Sequence, residues 1–371
     1  MALKYADSVL VNRTMDEAIA LQFKLVNQMT NVFTNNAFFE TGDVGLNPGF
    51  SRPKTTAAVE KVLAGVFDAE DCSLVRGSGS GAIRIALSMV AGPGDSVIVH
   101  KAPMYMTTKE TFRLMGLRQE TVDYNKMEDV EQTLRAHHNI KVFYIQHARQ
   151  QPEDSYDLRA IIALVKRTRP DILVVVDDNY CAMKMKGIGV EYGADLSTFS
   201  GFKLLGPEGI GVILGSKEII EKIHKTNYSG GGQVQGPEAH ELLRAMTMAP
   251  VMLAIQNQQV EKLCSLLNNG SYPFIKEAYI TNSQSKNVIA VLTDPIASLV
   301  IEKASLFGAA TYPVGAESKY EIMPMIYRVS GSFLESEPHL KEFGLRINPM
   351  KASAETVLRI LELAVTEAVR G

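Results

Sequence analysis

The chain is poor in cysteine, nearly balanced in charge and free of long apolar runs, and each shortage removes a class of protein. Its 371 residues include three cysteines, Cys72, Cys181 and Cys264, far apart and without a C-x-x-C pair. Neither a disulfide framework nor a zinc site is indicated. The formal net charge is −3, too small to draw the protein to nucleic acid or an anionic membrane. No stretch approaches the roughly 20 apolar residues of a membrane helix. The N-terminal run MALKYADSVLVNRTMDEAIA has no apolar core of signal-peptide type, so a reducing cytoplasmic setting is expected. No internal repeat or low-complexity tract is present. What remains is an ordinary globular composition, 46% hydrophobic and 21% charged. The length suits one large and one smaller domain.

Apolar residues at helical spacing predict a helix over 14–33. The Gly-, Pro- and Asn-rich segment 38–54 reads as a loop. Val59, Val62, Leu63 and Val66 mark one face of a helix beginning at Thr55. Apolar runs then alternate with helical stretches such as 158–167. The clearest strands are SVIVH at 96–100, KVFYIQ at 141–146, ILVVVDD at 172–178 and IGVILG at 210–215. This alternation predicts an α/β fold with a mainly parallel sheet covered on both faces. Such sheets bind ligands at the carboxyl ends of their strands. The alternation fades near Tyr228. A Gly-rich turn, SGGGQVQG, leads into a helix over 237–267, and the remainder reads as a smaller α+β domain ending in a helix over 354–370. The expected division is an N-terminal segment 1–45, a large domain 46–250 and a C-terminal domain 251–371.

Three elements carry chemistry. Asp177 closes the apolar run ILVVV, which places a carboxylate at the ligand edge of the sheet. Asp178 is the better candidate for an ordinary solvated strand end. Lys203 lies in the loop SGFKLLGPEG, flanked by Phe199, Phe202, Leu204 and Leu205. Apolar flanks desolvate an ammonium and make it a nucleophile toward aldehydes. RGSGSGAIRIAL, at 76–87, is a Gly-rich turn opening a helix, where backbone N–H groups and the helix dipole bind phosphate. Gly77, Gly79 and Ala82 also fit a dinucleotide fingerprint. That reading wants an acid at the end of the next strand, and SVIVH ends in His100. A phosphate cradle, a strand-end acid and a lysine about two dozen residues later follow the order used by pyridoxal 5'-phosphate (PLP) enzymes. In those enzymes the acid keeps the ring nitrogen protonated and the lysine forms the imine.

Across nearly its whole length the chain resembles fold-type I PLP enzymes. FSRPKTTAAVEKVLA at 50–64 is similar to the Tyr-Ser-Arg-x-x-Asn-Pro-Thr segment of the cysteine and methionine metabolism enzymes, and VVVDDNYCAM to their aspartate-bearing strand. SGFKLLGPEGIGVILG is closer to the lysine loop of the selenocysteine-synthase-like and class V aminotransferase branches. The resemblance implies a large PLP-binding domain in which Gly79, Ser80 and Gly81 hold the phosphate and Ser200 adds a hydrogen bond to it. Tyr105 would stack on the pyridine ring. Arg346 would receive the substrate carboxylate, with Arg328 competing for that role. Arg52 would cross to the phosphate of a neighbouring subunit, which implies a homodimer with shared sites. Two departures stand out. Phe50 replaces a tyrosine, and IQHARQQPEDSY puts His147 or Arg149 where a contact to the ring hydroxyl is expected. The implied activity is that of an aminotransferase. The alternatives are a lyase eliminating a β or γ substituent from an amino acid, and a non-catalytic PLP-binding protein.

Overall fold

The computed structural model describes every residue except 1–3, 150, 230, 283–284, 313–316, 331–332, 335–336 and 371. Gln150 and Gly230, which belong to the segments IQHARQQPEDSY and SGGGQVQG, therefore lie outside the described residues. Among those described, no helix is long and apolar enough to cross a membrane.

The chain divides into two compact units. The larger comprises 13–148 and 156–251, the smaller 1–12, 149–155 and 252–371. The division departs from a purely sequential one, because residues 13–45 cluster with the large unit and 149–155 with the small one.

The large unit is built on seven strands: β1 (Asp71–Arg76), β2 (Ser96–His100), β3 (Arg118–Val122), β4 (Ile140–Gln146), β5 (Leu173–Asp177), β6 (Leu196–Ser200) and β7 (Ile210–Gly215). Their order is β1-β7-β6-β5-β4-β2-β3. β7 runs antiparallel to both neighbours, and the other pairings are parallel. The sheet is thus the expected mainly parallel one. Alternation along β5 shows how it is covered. Val174 and Val176 join the core formed with helices Met127–Ala136 and Leu158–Thr168. Val175 joins the core on the opposite face, under helix Ser78–Val90. Successive strand residues point to opposite faces, so β5 is apolar throughout because both faces are buried. Each such valine contributes about 1.5–3 kcal/mol by leaving water.

The N-terminal helix Met15–Val32 begins with a capping box between Thr14 and Glu17. Helix Gly236–Leu267 contains Pro250, which lacks the N–H for one helical hydrogen bond. The small unit has four antiparallel strands, β8 (Ile275–Thr281), β9 (Asn287–Leu292), β10 (Met325–Arg328) and β11 (Gly344–Asn348), ordered β10-β11-β9-β8. One face carries Ala290, Ile326, Leu345 and Ile347, packed with helices Ala297–Leu306 and Ala354–Arg370. The other carries Tyr279, Ile289 and Val291, packed with Phe333 and Leu340.

Candidate active site

Two neighbouring strand ends, a 3₁₀ turn and one helix start converge on Asn179. β5 ends at Asp177, which is 5% exposed. Its Oδ1 accepts hydrogen bonds from the Asn179 backbone N–H at 3.0 Å and from Asn179 Nδ2 at 2.7 Å. The Tyr144 hydroxyl donates to its Oδ2 at 3.3 Å. β6 ends at Ser200, whose backbone N–H donates to Asn179 Oδ1 at 3.0 Å. Lys203 follows in a single 3₁₀ turn over Gly201–Leu204. Its Nζ donates to the same Asn179 oxygen at 3.4 Å and lies 3.8 Å from the centre of the Tyr180 ring. One amide therefore bridges the strand-end acid and the lysine. Asn179 and Tyr180 carry no sequence signal of their own beyond following two aspartates. Tyr180 has a φ of +66°, a left-handed conformation that side chains other than glycine seldom adopt. Strain of this kind collects at functional sites.

Burial pushes the Asp177 carboxyl up, against the hydrogen bonds from Asn179 and the nearby charge of Lys203. A desolvated carboxylate of this kind is stabilised by a cation placed against it.

The helix Ser78–Val90 starts after Gly77, which has a φ of +94°. Gly209 O accepts from Gly77 N–H at 2.9 Å and from Ser78 N–H at 3.1 Å, and Gly81 N–H donates to Gly77 O at 2.8 Å. First-turn N–H groups have no intrahelical acceptor, so those of Gly79 and Ser80 are available to an anion. Gly81, expected at the phosphate, spends its N–H inside the helix. It is glycine because a Cβ there would strike Arg76 O. A Cβ on Gly79 would lie 2.5 Å from the Asn179 amide, so cradle and amide pack without room for a methyl group. Gly79→Ala is expected to displace Asn179 at a cost of about 1–3 kcal/mol and to weaken cofactor retention about tenfold, read by titration of the apoenzyme. Undiminished retention would show that Asn179 does not organise the cradle. Ser80 Oγ lies 2.9 Å from Thr107 Oγ1, which ties the cradle to the helix Met106–Met115. Tyr105 caps that helix, with its side chain partly exposed.

Other expected residues are engaged elsewhere. His147 Nδ1 lies 2.7 Å from Asp178 Oδ1, both groups being buried. Asp178 is therefore a buried partner of His147, not a solvated strand end. Burial opposes the charge on His147, yet Cys181 and Asp178 beside it outweigh burial and push its pKa up to about 10. The stability this contributes is complete below the unfolded value near 6.5 and is lost as pH rises toward 10. His147→Gln is thus expected to cost about 3 kcal/mol at pH 6 and much less at pH 10, compared by urea midpoints. Equal losses at both pH values would contradict a charged imidazole. Arg149 donates to Ser8 O within the small unit. Arg52, expected to serve a neighbouring subunit, donates its Nε to the buried Glu60 of its own chain and Nη1 to Phe50 O.

Arg346 belongs to β11 in the small unit and is 1% exposed. Its Nε and Nη2 have no hydrogen-bond partner among the described residues. It pairs across the sheet with Tyr327 and Ile289, and its guanidinium lies 5.3 Å from the Phe333 ring centre. Arg328 pairs with Leu345 and so projects from the opposite face.

The large-unit donor set fits PLP. Gly79 and Ser80 offer N–H groups to a phosphate, Asp177 offers a buried carboxylate to a ring nitrogen, and Lys203 offers an amine. Together with one antiparallel strand in a seven-stranded parallel sheet, these residues define a fold-type I PLP-dependent enzyme. The chain belongs to the Cys/Met metabolism PLP-dependent enzyme family, whose pattern matches residues 16–288. Residues 261–361 match the YhfS-like C-terminal domain. The chain is 45% identical to YhfS of Escherichia coli K12 over 352 residues, covering 95% of this chain and 97% of that one. The crystal structure of the pyridoxal-5'-phosphate dependent protein YhfS superposes with a TM-score of 0.94 at 44% identity, over 96% of this chain and 98% of that one. Cystathionine gamma-lyase of Bacillus subtilis is 25% identical over 65% of this chain and 64% of its own. The fold is also shared with cystathionine gamma synthase of Xanthomonas oryzae pv. oryzae, in complex with cystathionine, at a TM-score of 0.71 and 14% identity over 94% and 98% of the two chains.

Proposed function

We propose that the protein is a PLP-dependent lyase that eliminates a β or γ substituent, foremost a sulfur group, from an amino acid. The observation that carries this reading is the Cys/Met metabolism match over residues 16–288, a span that contains the cradle, Asp177 and Lys203. The relatives and neighbours bearing γ-lyase and γ-synthase names support it over transamination, the first expectation from sequence.

When bound, PLP supplies an electron-withdrawing ring that stabilises negative charge on the substrate α-carbon. In this reading Gly79 and Ser80 hold the phosphate through backbone N–H groups. Asp177 keeps a proton on the ring nitrogen, and Asn179 fixes the direction of the carboxylate. Lys203 Nζ takes the α-proton as general base, held near its position by Asn179 Oδ1. Tyr105 covers the ring, and Ser200 lends its hydroxyl to the phosphate. Loss of the α-proton is followed by cleavage of the bond to sulfur. The thiol leaves with a proton, and the unsaturated amine hydrolyses to a 2-oxo acid and ammonia.

Arg346 takes the substrate carboxylate. A buried guanidinium with unpartnered N–H groups is costly until an anion meets it, and its planar fork suits bidentate carboxylate binding. Arg346→Ala is expected to raise KM by about 30-fold or more, from the 2–5 kcal/mol lost when a buried charged pair is truncated, while the cofactor spectrum stays intact. The same signature in Arg328→Ala would exchange the roles. A homodimer with shared sites belongs to this reading, with Arg52 completing a partner's phosphate site. Mixed Lys203→Ala and Arg52→Ala subunits should regain activity. No recovery after proven subunit exchange ends that part.

The deciding experiment offers the holoenzyme L-cystathionine, L-cysteine, L-homocysteine and L-methionine, and measures ammonia, 2-oxo acid and thiol. Elimination yields ammonia and 2-oxo acid in equal amounts without an added acceptor. Product formed only with an added 2-oxo acid, and no ammonia, would mean transamination.

A further inference from the structure

The small unit contains a half-open cavity of about 780 Å³, within the range of small-molecule sites. Its walls come from helix Ala297–Leu306, which supplies Ser298, Glu302 and Ser305, and from Thr311, Arg328 and Ser330. Tyr327 also lines it, and this residue and Arg328 face opposite ways. Tyr327 pairs with Arg346 and Arg328 with Leu345, and adjacent strand residues face opposite ways. Leu345 belongs to the helix-covered core, so Arg328 projects on the helix side. The two arginines therefore project from opposite faces of the sheet. Arg328 makes no ion pair among the described residues. Among the described residues the exposed Glu302 pairs with its sequence neighbour Lys303 alone, at 3.3 Å, a contact of little energetic weight. The cavity thus presents one cation and one anion not bridged to each other, surrounded by hydroxyl groups.

We propose that this cavity binds a free α-amino acid as a second, non-catalytic ligand, with the carboxylate on Arg328 and the ammonium on Glu302. A zwitterion satisfies both charges at once, and the hydroxyls of Ser298, Ser305, Thr311 and Ser330 accept or donate to its polar atoms. A phosphate or simple carboxylate would meet Arg328 but be repelled by Glu302. A simple amine would meet the reverse. The proposal goes beyond the lyase reading and does not depend on turnover, because binding alone is scored.

The test uses holoenzyme carrying Arg346→Ala, which in the proposed reading weakens binding of amino acids at the cofactor about 30-fold. Each standard amino acid is titrated calorimetrically. At least one should bind with one site per chain. Arg328→Ala and Glu302→Gln, each added to that background, should weaken it about 10- to 100-fold, the range for hydrogen bonds to charged groups. The N-acetyl derivative and the amide of the same amino acid should each bind at least tenfold more weakly. Arg328 is exposed, so its replacement leaves folding intact, and unchanged thermal melting checks this. The inference is overturned if no amino acid binds, if Arg328→Ala leaves affinity unchanged, or if the N-acetyl form binds equally well.

Discussion

Lys203→Ala should lose at least about 10⁴-fold in turnover, because one substitution removes both the covalent anchor and the general base. The loss should not be rescued by excess PLP. Sodium borohydride treatment of the parent enzyme should fix the cofactor on the peptide containing Lys203, and the variant should remain unlabelled. The motive is geometric: Nζ sits 3.4 Å from Asn179 Oδ1 and against the Tyr180 ring. Label on another lysine, or turnover within tenfold of the parent, would remove Lys203 from the assignment.

Asp177→Asn should cost about 10²–10³ in kcat, the scale seen when one preorganised electrostatic partner is removed from a water-excluded site. Cofactor should stay bound, since the cradle and Lys203 are untouched. The carboxyl is buried and its pKa is held up by desolvation, so it lacks full charge compensation until a protonated ring nitrogen meets it. The amide substitute keeps the shape and removes the charge. A variant within tenfold of the parent would show that this carboxylate does not serve the ring. Asp178 could not inherit the role without breaking its 2.7 Å contact with His147.

The parts legible in sequence share a physical cause. β2, β4, β5 and β7 are apolar because both faces of the sheet are buried, and that composition announces itself. β1, β3 and β6 do not. β3, RQETV, is an edge strand with mostly exposed side chains, so no core pattern marks it. β6, LSTFS, is buried throughout, but its Ser and Thr read as a loop. The four strands of the small unit are each seven residues or shorter, and their pairing is set by tertiary contact. At the site, Asp177 and Lys203 were legible because their residue types clash with their surroundings. Asn179 was not, since an amide after two aspartates looks like any turn. Its part emerges only when Gly79, Asp177, Ser200 and Lys203 are seen around it. The engagements of His147 and Arg52 were hidden for the same reason: their partners, Asp178 and Glu60, become buried acids only in the folded chain.

The carbonyl of Gly209, which accepts from both Gly77 and Ser78, sets an order of events during synthesis. The phosphate cradle leaves the ribosome early, yet its entry backbone is held by a turn that follows the lysine. β1 likewise finds its partner only when β7 has been made. Contacts so distant in sequence form late, because the intervening loop must close first. A nascent chain stopped before Gly209 therefore holds every glycine of the cradle and even the lysine, but not the strand that joins β1 to the rest of the sheet. Cofactor capture should begin abruptly once β7 clears the exit tunnel. Until then β6 lacks its partner on that side, and an unpaired strand of this kind invites aggregation or chaperone contact.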